Sequence, residues 1–194
     1  DGDNYPDIVA YGGWPLDDHP PGGFYSAEPA NRSVKTAMPY GIPLRALYSK
    51  NIKNLMFAGR NISASHAALT SARVMGTCAV MGQAVGTAAW IAVRDSVGPR
   101  GVYENAIDEL RQTLMYDDCY IPFARMDVGT LTKSAELYGS SPENLENLRN
   151  GLDRPRDGSS LIIRKKSRHC VNTSTSGVFA GSVLMFAHSN RSVL

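Results

Sequence analysis

Asn54-Leu-Met-Phe-Ala-Gly-Arg-Asn-Ile-Ser-Ala-Ser-His66, continued by Ser71-Ala-Arg-Val-Met-Gly76 and Gly82-Gln-Ala-Val-Gly-Thr-Ala-Ala89, is the stretch that organises this chain. Leu55 to Ala58 is a short apolar run closed by Gly59, the pattern of a buried strand entering a tight turn. Beyond the turn, Gly76, Ala79, Gly82, Gln83, Gly86 and Ala89 recur at spacings that place them along one side of a helix. A glycine inside a helix costs about 1 kcal/mol relative to alanine. Three such glycines on one side predict that something comes very close to it. Two neighbours fit that description. One is tight helix–sheet packing. The other is a flat or phosphorylated ligand at the helix N-terminus, where free N–H groups and the dipole favour electron-rich atoms.

Working outward, the long helix is predicted to begin between Ser71 and Val74, with Ser71 or Thr70 as N-cap, and to reach about Arg94. Asp95-Ser-Val-Gly-Pro99 ends it, and Val102 to Tyr116 reads as a second helix with Ala106, Ile107, Leu110 and Leu114 on one side. Upstream, Ile8 to Tyr11 is a short strand ended by Gly12-Gly13, and His19-Pro-Pro-Gly-Gly23 is a loop that no helix or central strand tolerates. Glu28 to Thr36 reads as a polar connection, Tyr40 to Arg45 and Ala46 to Tyr48 as extended segments, and Ser49 to Asn54 as a turn. From about Leu131 the chain becomes turn-rich, with Leu161 to Ile163 and Val178 to Phe186 as further candidate strands.

Composition narrows the function classes. The 194 residues suffice for one sizeable core, or for one domain and part of another. A net charge of +2 argues for neither a nucleic acid nor a membrane-surface partner. The apolar run Val178 to Ala187 is too short to span a bilayer. Cys78, Cys119 and Cys170 form no C-x-x-C pair, so oxidising and reducing compartments are both permitted. His19, His66, His169 and His188 have no metal-ligand spacing, and no metal site is expected.

Ala58-Gly-Arg-Asn-Ile-Ser-Ala-Ser-His66, Ser71-Ala-Arg-Val-Met75, Cys78 and Gly82-Gln-Ala-Val-Gly-Thr-Ala-Ala89 together resemble the C-terminal FAD motif of a family of FAD-dependent oxidoreductases. The family pattern runs A-G-R-x-I-S-A-x-H, S-x-R-V-M, then C and G-Q-A-x-G-T-A-A. The likeness continues through Gly12-Gly-Trp-Pro15, His19-Pro-Pro-Gly-Gly23, Ile42-Pro-Leu-Arg45 and Asp118-Cys-Tyr-Ile-Pro122, and so covers about residues 5–125. It implies an α/β fold: part of a Rossmann-like FAD-binding domain and of a substrate-side β region over residues 1–125. A mostly β or irregular tail, 126–194, would follow. Pro142-Glu-Asn144 with Asn150-Gly-Leu-Asp-Arg-Pro155 resembles the opening of a galactose-binding-like β-sandwich found behind this domain in some relatives.

The resemblance also assigns roles. FAD is the implied cofactor. Gly59 would let backbone approach it, and Arg60 would pair with phosphate or stabilise negative charge during reduction. The N–H groups near Val74, Met75 and Gly76 would face its electron-rich edge, with Arg73 beside them. His66 is the candidate for proton transfer because an imidazole titrates near neutrality. His19 and Arg45 are candidate substrate contacts, although each also suits a structural role. A Rossmann-type dinucleotide site needs, besides this motif, a G-x-G-x-x-G turn between strand and helix. None of the 194 residues forms one. The expectation is therefore the C-terminal part of a longer enzyme, inactive alone, whose N-terminal half supplies the missing turn. It would pass hydride from a small organic, carbohydrate-like substrate to the flavin. The rival expectation is a non-catalytic carbohydrate-binding or scaffold module, separable by whether the preparation is yellow.

Overall fold

The computed structural model describes residues 5–36, 39–138 and 145–152. Two compact units divide the chain, Asp1–Phe123 and Ala124–Leu194. In the first unit, the predicted strand at Ile8 is present as β1 (Ile8–Gly12). Ile8, Val9 and Ala10 are all buried, so β1 is covered on both faces. It pairs antiparallel with β4 (Tyr40–Pro43), Ala10 opposite Ile42 and Ile8 opposite Pro43, with a bulge between Ile8 and Ala10. Gly12 is required here by close approach, because a Cβ would strike the Tyr40 ring. A 3-10 turn, Leu44–Leu47, follows β4 and buries Leu44 and Leu47.

A second antiparallel pair joins β2 (Leu16–Asp18) to β3 (Arg32–Val34), with Asp18 opposite Arg32. β3 falls inside the stretch read as an irregular connection. All three of its residues are exposed, so no apolar alternation marked it; only its partner strand reveals it. Between β2 and β3 runs the expected His19-Pro-Pro-Gly-Gly23 loop, carrying a 3-10 turn at Gly23–Tyr25. Every strand pairing among the described residues is antiparallel.

The buried strand predicted at Leu55 to Ala58 is corrected. Met56 makes only an isolated bridge to Tyr48, supported by Ser49 N–H to Leu55 carbonyl at 2.9 Å and Phe57 N–H to Leu47 carbonyl at 2.7 Å. Leu55 and Ala58 are exposed, because no described strand covers the other edge. The predicted long helix is present with a slightly later start, and a short helix that was not predicted is divided from it. α1 (His66–Ala72) is capped by Ser65, whose Oγ accepts the Ala68 N–H at 3.3 Å. α2 (Met75–Arg94) begins after Val74, which is extended at ψ 150. Ser71 therefore lies inside α1 and is no N-cap. The predicted end at Arg94 holds, yet Pro99 does not merely stop α2: it opens α3 (Pro99–Asn105) at a position where its missing N–H costs nothing. The second predicted helix divides too, into α3 and α4 (Ile107–Tyr116), at Ala106 with φ −136. Ala106 and Leu110 are buried as expected, and so is Leu114.

The packed side of α2 carries Thr77, Met81, Ala84, Ala88, Ile91 and Ala92, at the helical repeat. This side meets β1, α3 and α4, and with Val102, Leu110 and Leu114 it forms the core. Burying each large aliphatic side chain stabilises the unit by about 1.5–3 kcal/mol. By length and composition alone α2 would also pass as a bilayer span, a test that core helices pass as well.

The second unit is described over 124–138 and 145–152. α5 (Thr130–Ser134) is held by Arg149, which lies in a 3-10 turn at Leu145–Arg149. The Arg149 Nη1 donates to the carbonyls of Lys133 at 2.8 Å and Ala135 at 2.7 Å, and its other nitrogens pair with Glu146. A guanidinium at a helix C-terminus meets the otherwise unpaired carbonyls there. Gly151 has φ +74, and the Asn150 Oδ1 accepts the Leu152 N–H at 2.8 Å, which makes a tight turn. The candidate strands at Leu161–Ile163 and Val178–Phe186 lie outside the described residues, as do Pro142-Glu-Asn144 and Asp153-Arg-Pro155 of the sandwich-like stretch.

Candidate functional site

Three pieces of backbone converge where α1 ends and α2 begins. The first is the turn at Gly59, whose φ of +113 only glycine adopts easily. An added Cβ there would lie 3.9 Å from the Cys78 sulfur, in the first turn of α2, so the turn stands beside that helix start. Space would allow the Cβ; the backbone conformation is what requires glycine. The second piece is Val74-Met-Gly76. Val74 offers no capping side chain, the first turn carries no acidic residue, and Met75 is 88% exposed. A Cβ on Gly76 would meet nothing within 4 Å among the described residues. No side-chain cap takes up the N-terminal N–H groups of this twenty-residue helix, and the positive end of its dipole lies at the same place. Arg60 is the third piece: it is exposed, and its side chain forms no ion pair or hydrogen bond among the described residues.

A polar cluster lies alongside. Strand β2 runs across α1, and its two adjacent carboxylates hold the two ends of that helix. Asp18 Oδ1 accepts from His66 Nε2 at 2.9 Å, at the first residue of α1. Asp17 accepts from Arg73 Nη2 at 3.1 Å, at the C-cap of α1, and the Asp17 carbonyl takes the same nitrogen at 3.1 Å. Asp17 also receives the Asn31 amide at 2.9 Å and faces His19 Nε2 at 3.3 Å. The Asn31 hydrogen bond, with His19 and Arg73 beside it, holds the Asp17 carboxyl below its ordinary value of 3.8. His19 Nδ1 donates to the Ala30 carbonyl at 2.8 Å, which ties the loop back on itself.

A buried relay fixes α1 from the other direction. The Ser71 hydroxyl donates to the Trp14 carbonyl, so the Tyr40 hydroxyl in turn donates to Ser71 Oγ, and β4, α1 and the segment before β2 are joined. Burial pushes the Tyr40 phenol above its ordinary value of 10.0, with the neighbouring Ser71 hydroxyl opposing the shift.

The structure brings His19, His66 and Arg73 together around β2, and sets Gly59 beside the start of α2, where Val74, Met75 and Gly76 lie; Arg60 is the residue that follows Gly59 in that turn. Arg45 is not with them. Its Nη2 lies 3.0 Å from Asp7 Oδ1, its Nε 3.1 Å from Asp7 Oδ2, and Tyr5 and Tyr103 cover the guanidinium. Asp7 is fully buried, and Arg45 supplies the charge and donors that let a carboxylate sit there. Asp17, Asp18 and Asn31 escaped the sequence-based search. The only signal was the adjacency Leu16-Asp-Asp-His19, which resembles any solvated acidic strand end.

An uncapped helix start, a glycine turn and an arginine without a polar partner among the described residues thus lie between Gly59 and Gly76. A family model described as FAD dependent oxidoreductase matches residues 1–114, and the chain belongs to that family. Its function is flavin-dependent redox chemistry, and FAD is its cofactor. No curated protein and no solved structure matches it.

Proposed function

We propose that these residues form the substrate side and the helix-terminus side of an oxidoreductase that removes hydride from a small hydroxylated, carbohydrate-like molecule. The observation that carries the proposal is the uncapped start of α2 beside the Gly59 turn, with Arg60 next in sequence and without a polar partner among the described residues. The donors found there suit FAD: backbone N–H groups and a dipole for an electron-rich ring edge, and a guanidinium for phosphate or for charge that develops on reduction. When bound, FAD supplies the acceptor for the hydride that leaves the substrate's carbinol carbon. Met75 and Gly76 N–H groups hold the cofactor edge, and Gly76 leaves room for close approach. Arg60 supplies positive charge at the same place. His66 takes the hydroxyl proton of the substrate, and His19, on the loop beside it, hydrogen-bonds another hydroxyl. Arg73 is occupied by Asp17 and shapes the joint between the helices. Arg45 has no substrate role in this proposal, because its partners Asp7, Tyr5 and Tyr103 are not shared with the cluster. The carbohydrate-like substrate draws its support from the sandwich-like stretch near Asn150.

The absence of G-x-G-x-x-G from the 194 residues supports a second clause. The pyrophosphate of FAD needs donors on a Rossmann-like half that these residues do not contain, so this chain alone binds FAD weakly or not at all and does not turn over. Titration of FAD against the purified chain, read by quenching of flavin fluorescence, tests both clauses. The expected dissociation constant lies above about 1 μM, weaker than about −8.2 kcal/mol. A submicromolar value would overturn the second clause. Submicromolar binding that Gly76→Leu and Arg60→Ala leave unchanged would overturn the placement of the cofactor at α2.

A further inference from the structure

We infer that Asp18 is the positioning residue for His66, fixing its imidazole with Nε2–H on the carboxylate so that Nδ1 is the atom that accepts the substrate proton. The inference deepens the proposed function and rests on its assignment of His66 as the proton acceptor. Asp18 Oδ1 and His66 Nε2 are 2.9 Å apart. An ionised carboxylate has only lone pairs to offer, so the proton of that hydrogen bond belongs to Nε2. In the neutral ring the lone pair is then on Nδ1. Nδ1 has no hydrogen-bond partner among the described residues, and the His66 side chain is 73% exposed, so that lone pair is open to a bound molecule.

Placement argues the same way. The contact joins two fixed elements: Ser65 caps α1 immediately before His66, and β2 is anchored by Asp17 to Arg73 at the far end of α1. Asp18 therefore sits on a strand whose position relative to α1 is set independently of the His66 contact. An exposed pair contributes little to stability, so its consequence lies in the tautomer and the ring angle. When Nδ1 gains a proton, the same carboxylate faces the resulting imidazolium. The proton leaves the substrate oxygen, the new bond is N–H at Nδ1, and the positive charge is shared with a group already in contact.

The test uses the full chain labelled with 15N-histidine, above neutral pH, with His66→Gln assigning the signals. Wild type is expected to show the His66 Nε2–H tautomer. In Asp18→Asn the amide can present N–H to Nε2, and the share of the Nδ1–H form is expected to rise about two- to fivefold, the range an exposed pair supports. Asp18→Glu is expected to restore the wild-type ratio, and thermal unfolding is expected to stay unchanged in both variants. An unchanged tautomer ratio in Asp18→Asn overturns the inference. So does a lowered unfolding midpoint in Asp18→Asn that Asp18→Glu does not restore, since that marks a tether serving only the fold. Failure of the flavin assignment would appear in the FAD titration and leave the tautomer ratio untouched, which keeps the two separable.

Discussion

The two sides of α2 differ in what they meet. One side, Met81, Ala84, Ala88 and Ile91, is completely buried against β1, α3 and α4. The other, Met75, Gly76, Ala79, Gly82, Gly86, Trp90 and Val93, is exposed. A Cβ added at Gly76, Gly82 or Gly86 would meet nothing within 4 Å among the described residues. The three glycines were expected to mark a close approach, by packing or by a ligand, and among the described residues nothing packs there. Bulk on the packed side and its absence on the open side show that small size alone does not report burial. The glycine side is open among the described residues, and its first turn is where the proposed FAD contacts lie.

Substitutions on the two sides sharpen this contrast. Met81→Ala removes a fully buried side chain from the packed side and is expected to cost about 2–5 kcal/mol of unfolding free energy, measured by denaturant titration. A loss below about 1 kcal/mol would mean that the core does not depend on this side of α2. Ser71→Ala removes the link between Tyr40 and the Trp14 carbonyl and is expected to cost about 1–3 kcal/mol.

Tyr40 adds a pH dependence to the same region. Its folded pKa is raised above 10.0 chiefly by burial, so the unfolded phenol ionises first. Its stabilising contribution is complete below pH 10 and is lost as pH rises through the higher folded value. Melting points followed across alkaline pH should fall less steeply in Tyr40→Phe; equal slopes would show that Tyr40 does not carry the effect.

On the open side, Gly82→Ala and Gly86→Ala are each expected to raise stability by about 1 kcal/mol through helix propensity. Gly82→Leu should be accepted as well as Gly82→Ala in this chain. A Leu variant that melts far below the Ala variant would place a neighbour on that side. The smallest effect on stability is expected at Arg60: Arg60→Ala should leave the melt unchanged within about 0.5 kcal/mol, as for an exposed side chain without partners. It should nevertheless weaken whatever FAD binding the chain retains, and a clear loss of stability would give this arginine a structural partner instead.

Local pattern made several features legible. β1 was visible as an apolar run closed by glycines, and the end of α2 at Arg94 as a Gly/Pro stop. The short helix α1 was not visible, because seven residues hold only two turns of any helical repeat; the start of α2 was expected at this junction, between Ser71 and Val74. The junction sits where Arg73 is drawn to Asp17, a contact across 56 residues. β3 was invisible for a related reason, since a strand exposed at every residue has no pattern of its own.

The sequence by itself determined the family and the cofactor, because the resemblance rests on nearly continuous stretches whose order and spacing survive without coordinates. It also determined which residues of the α2 start and the Gly59 turn were candidates. Only the tertiary structure decided what surrounds them. It paired His66 with Asp18 across 48 residues, withdrew Arg45 to the buried Asp7 across 38, and left Arg60 and the first turn of α2 unpartnered among the described residues. A side chain's partner depends on which distant segments the fold brings within about 3 Å, and that distance is not encoded in any local spacing.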